Sequence, residues 1–203
     1  MGLLDQRQKS DVYEAIKAKK DCEIEILNAE MGKSWKHKTQ ADSGSYKVPG
    51  ETRVMKLTIQ ITDSNVETEN SDAKPRRKIE DMVILEPHPY VDQKDGTTKY
   101  MKLEKLFQLQ QFLGFDPKFV DAEGNEVEPY VSRTGRKSCP KGASIALRPE
   151  FVKAYFDDSE EPRFDAWMNL KGVASVGLKK QSEEETMQYG AKNEVKRYAA
   201  KAE

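Results

Sequence analysis

Hydrophobic and polar positions alternate through RVMKLTIQITD (residues 53–63), with Met55, Leu57, Ile59 and Ile61 on one side and Lys56, Thr58, Gln60 and Thr62 on the other. That period of two predicts a strand with one buried and one wet face. CEIEILNAEMG (22–32) repeats it, with Cys22, Ile24 and Ile26 against Glu23 and Glu25, and predicts an earlier strand ending near Gly32. In KPRRKIEDMVILEP (74–87), Ile79, Asp81, Val83 and Leu85 share one face and Glu80, Met82 and Ile84 the other, so a third strand is expected. The period then changes. In KYMKLEKLFQLQQFLGF (99–115), Leu103, Leu106, Phe107, Gln110 and Leu113 recur at three- and four-residue steps, and Gly114 suits a helix C-terminus. FDAWMNLKGVASVGLKK (164–180) returns to alternation through Phe164, Ala166, Met168 and Leu170, with Gly172 and Gly177 as bends or bulges, and NEVKRYAA (193–200) reads as a short closing strand. SDVYEAIKAKK (10–20), capped at Ser10 or Asp11, predicts a short leading helix with Val12, Ala15, Ile16 and Lys19 on one face.

The expected fold is therefore mainly β: a five-stranded barrel of oligonucleotide-binding (OB) type, with one amphipathic helix between strands 3 and 4 and a short N-terminal helix. Residues 116–163 hold the turn signal DAEGNE, the basic run RTGRKSCPKG and prolines at 129, 140, 149 and 162. They read as a long insertion within a single domain spanning 1–203, whose last residues, 199–203, are expected to form a flexible tail.

Composition adjusts this picture. The chain of 203 residues is 36% hydrophobic and 34% charged, which implies a modest core with much solvated surface. A net charge of −1 excludes a uniformly basic nucleic-acid binder, so any such role rests on local asymmetry. From Met31 to Lys56, six bases face two acids, a local excess of +4, whereas Asp63 to Ala73 holds four acids and no base. Cys22 and Cys139 stand far apart with no Cys or His at ligand spacing, which argues against structural zinc and a disulfide framework. No apolar run approaches the roughly 20 residues that span a bilayer, and MGLLDQRQKS lacks a signal-peptide core, so a soluble cytoplasmic protein is expected.

Sequence-tolerant binding of single strands needs cations that follow the phosphates and flat side chains on which bases stack. GKSWKHKTQ (32–40) offers Trp35 among Lys33, Lys36, His37 and Lys38, in the connection between the first two strands. Arg53 and Lys56 lie along the wet face of the second strand, and Arg76, Arg77 and Lys78 lead into the third. Trp167, Tyr46 and Tyr198 are stacking candidates, Tyr198 as an outward residue beside Lys196. Each has a plainer alternative: an indole packed on the barrel rim or in the core, or a base on a solvated face. Tyr90 and Tyr189 are further stacking candidates.

Catalysis finds no constellation. His37 and His88 have no nucleophile or metal-ligand partner at motif spacing, Glu80 and Asp81 point to opposite faces, and no phosphate-binding glycine loop occurs. Neither an enzyme nor a cofactor is expected.

Three stretches, GSYKVPGETRVMKLTIQITD, KLEKLFQLQQFLGF and YGAKNEVKRY, resemble phage and prophage single-stranded DNA-binding proteins with an OB fold. The resemblance covers roughly two-thirds of the chain. It implies a non-catalytic protein that coats and protects single-stranded DNA in replication or recombination of a mobile genome, in the host cytoplasm, with replication or recombination proteins as partners. The 116–163 insertion departs from compact members, and KRYAAKAE lacks the acidic, aromatic-tipped tail by which many such proteins recruit partners. The competing class is a protein-docking or structural component of a virion or replisome, with YVSRTGRKSCPKG and FVKAYFDD as its surface. Self-association, site size and preference for DNA over RNA are left open.

Overall fold

The computed structural model describes residues 13–33, 35–37, 45–47, 50–92, 96–100, 103–133 and 137–200. Five strands form its central sheet: β1 (Lys19–Met31), β2 (Val54–Ile61), β3 (Lys78–Ile84), β4 (Leu170–Leu178) and β5 (Asn193–Tyr198). The helices are α1 (Glu104–Phe112), α2 (Pro149–Tyr155), the single turn α3 (Phe164–Trp167) and α4 (Glu183–Tyr189).

The sheet order is β5-β4-β1-β2-β3, and every hydrogen-bonded pair is antiparallel. Four antiparallel steps leave β5 and β3 pointing the same way. The sheet curls until these two edges meet, where the Tyr198 hydroxyl donates to Asp81 Oδ2 at 2.8 Å. The result is a nearly closed, barrel-like sheet. Its interior is the alternating set expected from sequence: Cys22, Ile24 and Ile26 from β1, Met55, Leu57, Ile59 and Ile61 from β2, and Ile79 and Val83 from β3, all buried. In β1 the register steps from Ile26 opposite Ile59 to Asn28 opposite Thr58, so Leu27 is an extra residue and Ala29 returns to the inside.

Helix α1 lies in the chain between β3 and β4 and packs along the β3–β5 edge. Leu106, Leu109, Gln110 and Phe112 are buried, and Gly114 closes the helix at φ 87°, a conformation that costs other residues but not glycine. The insertion carries two small antiparallel pairs, Lys118–Val120 with Ser144–Ala146 and Tyr130–Val131 with Lys137–Ser138. Its Phe151 and Phe156 share one buried cluster with the barrel residues, and Gln110 ties it to α1 by accepting from the Arg148 amide at 2.6 Å.

Three expectations are corrected. The leading helix is absent over 13–20: Tyr13–Glu14 pairs in parallel with Lys74–Pro75, Ile16 bridges Thr68, and the Lys17 amide donates to Glu67 O. The Asn193 side chain also accepts from the Ile16 amide and donates to the Ile16 carbonyl. These backbone groups are spent on tertiary partners, which overrides local helix propensity.

The alternation from Phe164 to Met168 is not a strand. Residues 164–167 form a helical turn, and Asn169 at φ 60° reverses the chain before β4 starts opposite Ile26.

Tyr198 is not outward. In β5, Val195 pairs with Val176 and Arg197 with Ser175, leaving Lys196 as a bulge residue. Lys196 and Arg197 therefore both face solvent and Tyr198 turns inward. Among the described residues, no helix is long and apolar enough to cross a membrane.

Candidate nucleic-acid interface

Cross-strand pairing fixes which polar side chains share the outer face of the sheet. One row runs Lys171, Glu25, Gln60, Lys78 across β4, β1, β2 and β3; the next is Asn28, Thr58, Glu80; the third is Glu30, Lys56, Met82. Lys56 sits between two carboxylates, its Nζ 2.8 Å from Glu80 and 3.5 Å from Glu30. The hydrogen bond to Glu80 raises the Lys56 pKa, and the same contact holds the Glu80 carboxyl below its usual range. Lys78 and Lys171 are exposed cations in a shared row, and neither takes part in a salt bridge among the described residues. Three glutamates against three lysines leave this face electrically balanced.

The connection from β1 to β2 leaves β1 after Met31, one residue past Glu30 of the third row. Lys33 is exposed at its start. Trp35 and Lys36 lie in a short strand, Trp35–His37, paired antiparallel with Gly50–Thr52, with Trp35 opposite Thr52 and Lys36 opposite Glu51. Tyr46 lies in Ser45–Lys47, which pairs with Pro89–Asp92, and that segment pairs in turn with Thr98–Tyr100. The two connections that leave β1 and β3 are thereby stitched into one three-stranded ribbon. Lys38 lies outside the described residues.

The remaining candidates separate by what they touch. Arg53 directs its guanidinium to the carbonyls of Ser159 and Glu160, at 3.4 and 3.1 Å, so it fastens the start of β2 to the insertion. Arg76 donates to Ala191 O and Tyr13 O, and Arg77 to Asp63 O at 2.6 Å and Ile61 O. Both arginines, expected as phosphate ligands, direct donors to backbone carbonyls near the ends of strands. Lys196 is exposed but paired with Glu194.

Two stacking candidates are overturned by burial. Trp167 is 0% exposed, donates from Nε1 to Tyr155 O at 2.8 Å, and is ringed by Phe151, Tyr155 and Phe156. Tyr198 is 2% exposed, its ring edge-on to Phe112 at 5.7 Å. Neither ring has a free face for a base.

The acidic 63–73 connection is accounted for by neighbours. Asp63 pairs with Lys19 at 2.6 Å and Glu67 with Lys17 at 3.5 Å. The Lys19 hydrogen bond, followed by the Asn65 amide, holds the Asp63 carboxyl below its ordinary pKa. Two of its four acids are thus engaged with Lys17 and with Lys19 at the start of β1.

Neither a family model, nor a curated protein, nor a solved structure matches this chain.

Two features escaped the sequence reading. QSEEETMQYG holds α4, started by a capping box in which the Ser182 hydroxyl accepts from the Glu185 amide and the Glu185 carboxylate accepts from the Ser182 amide. The S-x-x-E spacing was the available signal. Lys171 joins the outer face opposite Glu25, a position visible only once β4 is known to pair with β1.

Proposed function

We propose that the chain is a non-catalytic single-stranded DNA-binding protein built on an OB-type barrel. The observation that carries this reading is the topology. The order β5-β4-β1-β2-β3, the shared direction of the edge strands β5 and β3, and a helix in the chain between the third and fourth strands support it, since an OB fold is a five-stranded, partly open barrel. In that fold an oligonucleotide lies across strands 2 and 3, between the loops that join strands 1 to 2 and 4 to 5. Here those positions hold Lys56, Thr58, Gln60 and Lys78 on the sheet, Lys33, Trp35 and Lys36 in the first loop, and Lys179, Lys180 and Lys192 in the second. Fold alone hosts many functions, so the topology supports strand binding only together with these aromatic and basic residues.

A balanced outer face implies that Lys56 exchanges Glu30 and Glu80 for phosphate on binding. Exposed ion pairs hold only about 0 to 1 kcal/mol each, which makes that exchange inexpensive. Affinity then depends on salt through a small number of released counterions.

The test is titration of the full chain with oligo-dT, read by tryptophan fluorescence. Trp167 is buried, so quenching reports Trp35. We expect quenching that weakens as salt rises. Trp35→Ala is expected to remove the quench and cost about 1 to 3 kcal/mol, roughly five- to a hundredfold or more in affinity. Lys78→Ala is expected to lower the salt slope by about 0.7. No shift of a labelled oligonucleotide of about 30 residues at low salt and micromolar protein would defeat this reading. It would favour the second one, a protein-docking component of a virion or replisome, for which Glu25, Glu30 and Glu80 on the same face speak.

A further inference from the structure

The insertion contains a cationic, aromatic arm that the barrel reading does not use. Residues 129–142, PYVSRTGRKSCPKG, carry four bases and no acid in a chain whose net charge is −1. Within them Tyr130–Val131 pairs antiparallel with Lys137–Ser138. Tyr130 is 67% exposed and Val131 55%. Arg133 and Lys141 are exposed and join no salt bridge among the described residues.

Surface contacts tie this hairpin and its flanks to the rest of the insertion. Lys137 Nζ lies 2.7 Å from the Asp116 carboxylate, and Arg148 donates from Nε to Asp116 O at 3.2 Å while pairing with Glu126 at 2.9 Å. Ser138 Oγ donates to Tyr130 O at 3.3 Å across the pair. Lys137 is thus paired, and among the hairpin's described residues the exposed groups without an ion pair include the Tyr130 ring and the cations of Arg133 and Lys141. The insertion also adjoins the first binding loop, because Arg53 clasps Ser159 and Glu160.

We propose that this hairpin is a second contact for single-stranded nucleic acid. Tyr130 supplies a stacking platform and Arg133 and Lys141 supply phosphate contacts, extending the strand's path beyond the barrel. The proposal rests on the strand-binding reading above. The occupant follows from chemistry: an exposed ring in a hairpin that carries cations and no carboxylate matches an unpaired base with its phosphates better than an apolar protein surface.

The experiment compares oligo-dT of about 10 nucleotides, within the span of one such barrel, with oligo-dT of about 30, using the full chain and its Tyr130→Ala, Tyr130→Phe and Arg133→Ala/Lys141→Ala variants. Tyr130→Ala is expected to weaken the long oligonucleotide at least about fivefold and leave the short one unchanged, with Tyr130→Phe restoring affinity because the ring is kept. The double variant is expected to lower the salt slope on the long oligonucleotide by roughly 1.4 and not on the short one. Wild-type binding to both lengths with variants indistinguishable from it would overturn the arm and leave the barrel standing. Equal loss on both lengths would also overturn it as a separate contact. If the wild type binds neither length, the barrel reading itself falls, and the arm with it.

Discussion

Asp81 occupies an inward position of β3, between Ile79 and Val83, and is 3% exposed. Its carboxylate accepts from the Tyr198 hydroxyl at 2.8 Å and from Lys105 Nζ. Burial nevertheless dominates, and it pushes the Asp81 pKa above the ordinary carboxylate value despite those two partners. The consequence for stability has a definite sign. A carboxyl whose folded pKa exceeds its unfolded pKa holds its proton longer in the folded state, so its contribution is most favourable below about pH 4 and is lost as pH rises through the folded value. Asp63, Glu80 and Asp121 are shifted downward and act in the opposite direction, their contribution being lost as pH falls. Asp81→Asn removes one titration and leaves the other three. We expect the difference in urea midpoint between variant and wild type to move in the variant's favour from about pH 4 towards pH 7. A difference moving the other way would mean that Lys105 and Tyr198 outweigh desolvation.

Elements, by contrast, are set by packing that sequence periodicity anticipates only in part. The alternations of β1, β2 and β3 were legible because each strand has one buried and one wet face, and α1 was legible from its three- and four-residue steps. Bulges were not. The extra residues Leu27 and Lys196 shift the phase mid-strand, which is why unbroken alternation puts Tyr198 in solvent when it belongs to the core. Trp167 was likewise drawn into a strand because a helical turn of four residues is too short to establish its own period. Of the site, Lys56 and Lys78 lie on the outer face that alternation in β2 and β3 implies, while Arg76 and Arg77 contact carbonyls that no local pattern reveals. Gly172 illustrates what packing demands of an element. It was read as a bend, yet a Cβ there would stand 2.6 Å from Phe112 Cζ, so the residue is small because α1 rests on β4 at that point. Gly172→Ala is expected to cost about 1 to 3 kcal/mol in urea unfolding. In the Phe112→Leu background the added cost should shrink, because the smaller side chain gives the methyl room. An equal cost in both backgrounds would place the defect elsewhere.

At the scale of the whole molecule, one line differs from the rest. Backbone ladders join β5 to β4, β4 to β1, β1 to β2 and β2 to β3, but none joins β3 to β5. Side chains bridge that edge: Tyr198 to Asp81, and Arg76 to Ala191 O at 3.3 Å. The Tyr198 amide, an edge-strand donor, is satisfied by Gln108 Oε1 of α1 at 3.0 Å, so the helix covers an edge that would otherwise invite another strand. Such a seam is the natural place for the barrel to open locally, since fewer backbone hydrogen bonds need to break there. Tyr198→Phe tests this with the ring kept against Phe112 and only the hydroxyl removed. Loss of a hydrogen bond to a charged group is expected to cost about 1.5 to 3 kcal/mol. The informative readout is amide hydrogen exchange: β5 and β3 should exchange faster in the variant while β1 and β2, each laddered on both sides, keep their protection. A uniform acceleration across all five strands would show that the hydroxyl supports the fold as a whole rather than the seam, and the assignment of a local opening line would then be wrong.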